Sequence, residues 1–281
     1  MSFLPAELAP SALGTDRIGM LRALPGLAIG AVAGRDSIAA IVSAVRAEGF
    51  SAVLPTSVAT GTEYGDADAP LDAVRVLRET LGDEAEVLDP LRIGSPRLWA
   101  ALNGRFAAEI AARWGMHSAC LACHLYVHLA RLPLAWSLGS APVITGERDT
   151  HDGRIKLSQT AASIDAETRV LAYAGVELLT PVRIATGDEL GALVPDWPDG
   201  ERQLCCVHSG NYERLGGGVH IDADAYARYL REFFEPAGCA VVDVWRAAGL
   251  ERSDAQGPLD AAPIDYEALV RDVLLVAANH T

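Results

Sequence analysis

Cysteine and histidine side chains recur along one stretch of the chain at a spacing that suits metal binding. Cys120 and Cys123 are three residues apart, so a helix would carry both thiols on one face. Steps of three or four residues extend this face into a polar stripe: His117, Cys120, His124, His128 and Arg131. Such groups are costly to bury without partners, and thiolates and imidazoles are the usual zinc ligands, whereas thiolates hold iron–sulfur clusters. The stripe therefore predicts a metal site.

A second candidate site is the turn between an apolar run at 27–32 and an Ala/Ile/Val-rich segment. The first N–H groups of a helix have no partner within it, and the aligned peptide dipoles favour an anion there. Gly34 would permit close backbone approach, Asp36 would hold magnesium, and Ser37 would cap the helix or bind a phosphate oxygen. An ordinary strand-to-helix turn is the alternative. The candidate residues are Ala33, Gly34, Arg35, Asp36 and Ser37.

This turn resembles the Ser-Gly-Gly-x-Asp-Ser loop of the PP-loop ATP pyrophosphatase superfamily. Gly34, Asp36 and Ser37 match the loop, whereas Val32 and Ala33 stand where the family has Ser and the first Gly. The resemblance implies that ATP binds here with Mg²⁺.

The order of the motifs is similar to that of the iron–sulfur tRNA thiolation enzymes, in which a PP-loop, a Cys-x-x-Cys pair and one distant cysteine follow each other. The resemblance implies that Cys120, Cys123 and Cys206 (or Cys205) hold a [4Fe–4S] cluster whose fourth iron carries sulfur. Two alternatives stay open. The thiols would bind Zn²⁺ with His124 or His128 as a fourth ligand, or they are small buried hydrophobic side chains without a metal.

A charged loop at 146–156 follows the apolar stretch at 142–145. PP-loop enzymes have a second segment that contacts the phosphates, and this loop resembles it in its position after a strand. By this resemblance Gly146 and Asp152 would contact the nucleotide and its magnesium ion, with Asp152 as a metal ligand. Arg148 and Lys156 would stabilise the charge of the leaving pyrophosphate. A solvated charged loop is the alternative.

Together these motifs resemble those of an ATP-dependent, AMP-forming sulfurtransferase. Such an enzyme adenylates a carbonyl oxygen of a heterocycle and replaces it with sulfur; Asp36, Arg148 and Lys156 would be its catalytic residues. One alternative is a zinc-containing amide or nitrile synthetase similar to 7-cyano-7-deazaguanine synthase. Another is a nucleotide-binding module without catalysis, which the altered positions Val32 and Ala33 suggest.

The elements that must position these residues alternate between strand and helix, which predicts an α/β fold with a parallel sheet flanked by helices. The expected architecture is Rossmann-like and three-layered, of the HUP or PP-loop type. We expect a single domain over 1–281, with an irregular extension from about 182. The strands are predicted at 27–32, 51–56, 86–88, 142–145, 203–207 and 240–244. The helices are predicted at 37–48, 71–81, 96–114, from Cys120 to about Pro133, 161–174, 223–234 and 264–277.

Composition narrows the expected partners and location. The chain has 281 residues, a net charge of −14 and five cysteines, an odd count that argues against a disulfide framework. An acidic chain binds nucleic acid poorly, so we expect a small-molecule substrate, with tRNA as the disfavoured alternative. The resemblance to the thiolation enzymes implies a sulfur donor as a further partner. No apolar run reaches the about 18 residues of a membrane span, and the start lacks signal-peptide features. We therefore expect a cytoplasmic protein, with a homodimer as an option.

Overall fold

A parallel β-sheet lies at the centre of the protein. The computed structural model describes residues 14–149, 151–198, 204–210, 213, 218–219, 221–251 and 263–278. The strands are β1 (Leu27–Ala31), β2 (Ala52–Val58), β3 (Glu63–Tyr64), β4 (Glu86–Val87), β5 (Leu91–Ile93), β6 (Val143–Ile144), β7 (Leu178–Leu179) and β8 (Cys205–Cys206). The sheet has the order β4-β2-β1-β6-β7, with β5 also paired to β2, and all these pairs are parallel. A separate antiparallel pair joins β3 to β8.

Both faces of the sheet are covered, which explains why its central strands are apolar at nearly every position. In β1 and β2 every residue is buried. Ile29 packs into the core on one face, and its neighbour Ala28 packs into the core on the other. Val143 and Ile144 of β6 divide between the same two cores. A parallel sheet buried on two sides gives this pattern.

Helices form the two outer layers. In chain order they are α1 (Gly14–Ala23), α2 (Arg35–Glu48), α3 (Ala69–Leu81), α4 (Pro96–Asn103), α5 (Ala107–Trp114), α6 (Ala119–Leu129), α7 (Leu132–Ser137), α8 (Ala161–Tyr173), α9 (Gly187–Leu193), α10 (Ala223–Tyr229), α11 (Glu235–Ala247) and α12 (Tyr266–Ala278). Helices α2, α3 and α9 cover one face, and the others with buried apolar side chains cover the opposite face. The predicted α/β class with a helix-flanked parallel sheet, Rossmann-like and three-layered, is confirmed.

The predicted strand at 240–244 is wrong, because these residues lie inside α11. Val241 and Val242 favour a strand locally, yet Ala237, Val241 and Trp245 are buried at helical spacing. Their burial in the core overrides the local preference of the β-branched residues.

Two predicted helix bounds also differ from the structure. The stretch at 96–114 is divided into α4 and α5 at Gly104. The helix predicted to end before Pro236 continues instead, through a π-helical turn at Leu230–Phe234 into α11. Pro236 directly follows the π-helical turn, and such a local widening of a helix is a typical way to accommodate a proline, which has no N–H to donate.

Beyond residue 182 the described chain is mostly helical, and its helices pack onto the same two cores. Leu190 of α9 joins the core beside α2, and α11 packs against α8 and α6. Of the strand predicted at 203–207, the structure has β8; residue 203 lies outside the described residues. Within the described ranges, no helix combines the length and apolar character needed to cross a bilayer.

Candidate functional site

The candidate phosphate turn and the charged loop leave neighbouring strands at the same edge of the sheet. The turn follows β1, and the loop with Gly146 follows β6, its parallel neighbour. From β1 the chain crosses over to β2, which lies on one side of β1, whereas β6 and β7 lie on the other side of β1. Crevices at such points of reversed strand order are where open α/β sheets bind ligands. The topology therefore brings the two predicted nucleotide segments together.

The turn after β1 is held by Ser37. Its hydroxyl accepts the N–H groups of Ala33 and Gly34, with N···O distances of 3.0 and 3.1 Å, and donates to the carbonyl of Gly34 at 2.6 Å. The hydroxyl of Ser37 therefore caps the start of α2, one of its two predicted roles. The N–H groups that follow in the first turn of α2 have no partner within the helix.

Gly146 lies directly against the start of α2. A Cβ atom built on Gly146 would lie 2.5 Å from the backbone nitrogen of Ser37 and 2.6 Å from the carbonyl carbon of Asp36. Backbone atoms cannot yield as a flexible side chain can. Only glycine therefore lets the loop after β6 approach the helix start this closely.

Arg148 connects the two segments through buried contacts. Its Nε donates to Oδ2 of Asp36 at 3.0 Å, and its Nη1 donates to the carbonyl of Ala185 at 2.8 Å. Only 3% of Arg148 is exposed. Asp152 lies 3.7 Å from Nη2 of Arg148, and its Oδ1 accepts the N–H of Gly187 at the start of α9. The predicted residues Asp36, Arg148 and Asp152 thus belong to one network.

Lys156 and His151 lie beside this network. Burial lowers the pKa of Lys156, although Asp36 and Glu147 attract its charge. Burial, together with the cations Lys156 and Arg148, lowers the pKa of His151 to about 4, so its imidazole is neutral at neutral pH. Neither ring nitrogen of His151 has a hydrogen-bond partner among the described residues. Sequence reasoning did not assign His151 a role.

The three predicted thiols lie in one region of the protein although they come from distant parts of the chain. The Cys120 thiol donates to the carbonyl of His208 at 3.3 Å, and the N–H of His208 donates to Sγ of Cys206 at 3.4 Å. Nε1 of Trp99 donates to Sγ of Cys123 at 3.3 Å. None of the three forms a disulfide bond. The rings of Trp99 and His208 stack at 6.3 Å beside this thiol cluster, which we define as Cys120, Cys123 and Cys206.

Burial and neighbouring thiols raise the pKa of two cysteines of the cluster, Cys120 and Cys123, which favours their protonated form in the absence of a metal. Burial raises the pKa of Cys123 to about 12, and Cys206, Cys120 and Glu63 add to the rise. Burial and Cys206 raise the pKa of Cys120. A bound metal would replace these protons, because thiolates are the ligands.

The short β3–β8 pair selects which of the two adjacent cysteines joins the cluster. Cys206 stands opposite Glu63, and its Sγ lies 3.3 Å from the hydroxyl of Thr62. Cys205, on the other side of the strand, is exposed. Thr62, Trp99 and His208 were missed in the sequence, where no spacing relates them to the thiols.

His124 and His128 of the stripe contact carboxylates, whereas Nε2 of His117 lies 3.1 Å from the carbonyl oxygen of Asn103. Nδ1 of His124 lies 2.9 Å from Oε1 of Glu147, and Nε2 of Gln159 donates to Oε2 of Glu147 at 2.5 Å. Nε2 of His128 lies 3.4 Å from Glu147 and 3.5 Å from Glu167. Burial would lower the pKa of His128, but the two carboxylates raise it to about 9.

Glu167 is the carboxylate that sequence reasoning missed. It is fully buried in α8, between Ile164 and Leu171 on the apolar side of that helix. A charged residue at helical spacing within an apolar stripe was the signal that could have found it. Burial raises the pKa of Glu167, whereas that of Glu147 is held well below its usual range by His124 and His128, against the effect of burial.

The chain is similar to one protein whose activity is not described. It is 35% identical over 221 residues to "Uncharacterized protein MJ0009" of Methanocaldococcus jannaschii, and the match spans 77% of this chain and 79% of that protein. No protein-family model matches the chain.

Proposed function

The chain belongs to the family of the Methanocaldococcus jannaschii protein MJ0009, and we propose that it is an ATP-dependent, AMP-forming sulfurtransferase. The observation that carries the proposal is that three thiols from α6 and β8 lie in one region, in a fold that also brings a phosphate-type turn and a cationic loop together. The motif order similar to that of PP-loop thiolation enzymes supports the same assignment.

The residues at the end of β1 suit a triphosphate with magnesium. The first-turn amides of α2 and the close approach of Gly146 leave backbone rather than side chain next to the proposed phosphates. The side chain of Asp36 is 29% exposed; Arg148 donates to its Oδ2, and Nε of Arg35 lies 3.7 Å from its Oδ1. Asp36 would hold magnesium, and Arg148 and Lys156 would bind the pyrophosphate group.

The thiol cluster suits a soft metal centre. Cys120 and Cys206 contact the backbone of His208, Cys123 contacts Trp99, whose ring stacks on that of His208, and no disulfide joins the three cysteines. An iron–sulfur cluster bound there would present sulfur to the substrate. His124 and His128 contact Glu147 instead of completing a Cys/His zinc set, which favours the cluster over the zinc alternative. Such a centre requires a reducing compartment, so we propose a cytoplasmic location.

The proposed reaction exchanges one oxygen for one sulfur. A lactam oxygen of the heterocycle attacks the α-phosphorus of ATP, the ring N–H loses its proton, and pyrophosphate leaves. The sulfur of a hydrosulfide donor then bonds to the ring carbon, and AMP leaves with the former carbonyl oxygen. The proton of the hydrosulfide returns to the ring nitrogen. The cationic side chains that face the pyrophosphate stabilise the charge that develops as it leaves.

Metal analysis after anaerobic purification tests the thiol cluster. We expect about four iron and four sulfide per chain, and their loss in the triple variant Cys120→Ser/Cys123→Ser/Cys206→Ser. Cys205→Ser is the matched control, since Cys205 is exposed on the opposite side of β8, and it should retain the iron. Stoichiometric zinc without iron would contradict the sulfurtransferase and favour the amide or nitrile synthetase.

Nucleotide assays test the other half of the site. Arg148→Met should weaken Mg–ATP binding at least about 10-fold, because it removes the cation beside Asp36. Arg169→Met is the control, since Arg169 forms an exposed pair with Glu235. With a pyrimidine or purine nucleoside and hydrosulfide, AMP and pyrophosphate should form in equal amounts. Binding of ATP without any AMP across these substrates would favour the non-catalytic module.

A further inference from the structure

A second group of potential metal ligands lies apart from the thiols. His128, Glu147 and Glu167 each offer a donor atom, and these atoms all lie within 4.8 Å of one another. The three side chains come from α6, from the loop after β6 and from α8. Their residues are 1%, 5% and 0% exposed. We name this group the His–Glu–Glu cluster.

Two of the three side chains in the His–Glu–Glu cluster are buried without a hydrogen-bond partner. Among the described residues, neither nitrogen of His128 and neither carboxylate oxygen of Glu167 has one, whereas both oxygens of Glu147 do. Buried polar atoms in native proteins are nearly always hydrogen-bonded or bound to an ion. The four unpartnered atoms of His128 and Glu167 therefore indicate a missing ligand.

The distances suit a metal ion better than hydrogen bonds. Nε2 of His128 is 3.4 Å from Oε1 of Glu147 and 3.5 Å from Oε2 of Glu167, which is long for a hydrogen bond. Two ligands of one tetrahedral ion, each bound at about 2.1 Å, are about 3.4 Å apart. The observed spacing matches that edge length.

Neighbouring side chains orient Glu147 as the outer partners of a metal ligand do. Nδ1 of His124 contacts Oε1 at 2.9 Å, and Nε2 of Gln159 donates to Oε2 at 2.5 Å. Such outer contacts fix the direction of ligand carboxylates. The side chain of His124 is 30% exposed, so an ion entering from solvent would pass along it.

We propose that the His–Glu–Glu cluster binds one divalent first-row transition metal ion, independently of the thiol cluster. An imidazole with two carboxylates suits Zn²⁺, Mn²⁺ or Fe²⁺, whereas thiols select softer centres. The ion joins α6, which carries Cys120 and Cys123, to α8 and to the loop that carries Arg148. The site does not depend on the proposed sulfurtransferase activity.

The test uses the full chain with the thiols removed, so that bound metal reports on the His–Glu–Glu cluster. In the Cys120→Ser/Cys123→Ser/Cys206→Ser background, freed of metal with a chelator, we expect one Mn²⁺ per chain by electron paramagnetic resonance and its displacement by Zn²⁺. Adding Glu167→Gln should weaken Mn²⁺ binding at least about 100-fold, because it removes a charged ligand. Glu79→Gln is the control, since Glu79 forms an exposed pair with Arg75, and it should leave binding unchanged.

Thermal unfolding tests the proposal even if the Glu167→Gln variant fails to fold. Saturating Zn²⁺ should raise the unfolding temperature of the triple-cysteine background by several degrees, which needs no change at Glu167. Absence of Mn²⁺ binding and of any Zn²⁺-dependent stabilisation in that background would overturn the proposal, as would equal binding after Glu167→Gln. The protonated imidazole of His128 would then pair with the two carboxylates without a metal ion. Either result leaves the sulfide content of the unaltered chain as a separate test of the sulfurtransferase.

Discussion

At the scale of single residues, the close contact at Gly146 is the most direct constraint on the proposed nucleotide site. Gly146→Ala would place a methyl group 2.5 Å from the nitrogen of Ser37, so the loop and α2 must move apart. We expect a loss of stability of about 1–3 kcal/mol, as for other overpacked sites, together with at least about 10-fold weaker Mg–ATP binding. Chemical denaturation and calorimetric titration measure the two effects.

Gly191→Ala provides the matched control for Gly146→Ala. Gly191 lies in α9 without a positive φ, and a Cβ atom added to it would meet no atom within 4 Å. Alanine at this helical position should be neutral or stabilise the protein by up to about 1 kcal/mol. If both variants retain the same stability and ATP affinity, the contact at Gly146 does not define the site.

At the scale of elements, two short strands determine whether the thiol cluster forms. The N–H of Val207 donates to the carbonyl of Thr62 at 3.0 Å and extends the β3–β8 pair beyond Cys206. Val207→Pro removes this donor, whereas Val207→Thr keeps it. We expect the proline variant to retain less than half of the thiol-bound metal of the threonine variant after anaerobic purification, since Cys206 loses its position.

The fold should tolerate Val207→Pro, because β3 and β8 lie outside the central sheet. Val207 is 63% exposed, so little packing is lost. The unfolding temperature should fall by no more than the about 2–4 °C that corresponds to about 1 kcal/mol in a chain of this size. Equal metal content in the proline and threonine variants would show that the strand pair does not position Cys206.

The elements that sequence reasoning predicted correctly are those whose signal is local. The apolar runs of β1 and β2 and the amphipathic pattern of α2 and α3 are visible in short windows of sequence. The valines at 241–242 have a strand-like local preference, and only their packing against other helices makes them helical. The local sequence pattern therefore could not show that these residues form a helix.

At the scale of the whole molecule, the site residues also divide into those with a local sequence signal and those that only tertiary contacts bring together. The Cys-x-x-Cys pair and the turn at Gly34 could be found by spacing, because each lies within a short segment. The choice of Cys206 over Cys205 depends on which side of β8 faces α6. Glu167 joins His128 only because α6 and α8 pack together. Contacts of this kind depend on tertiary structure, which spacing along the chain does not contain.

The charge of the whole molecule favours a small-molecule substrate over tRNA. The net charge is −14, and Arg131 and Arg148 are buried, so they cannot neutralise backbone phosphates at the surface. We expect tRNA to bind no more tightly than the about 10⁻⁴–10⁻⁶ M of non-specific contacts near physiological salt. Filter binding at several salt concentrations measures this affinity. A submicromolar Kd that weakens steeply with salt would instead reveal a concentrated basic surface, and would make tRNA the substrate to assay for AMP release.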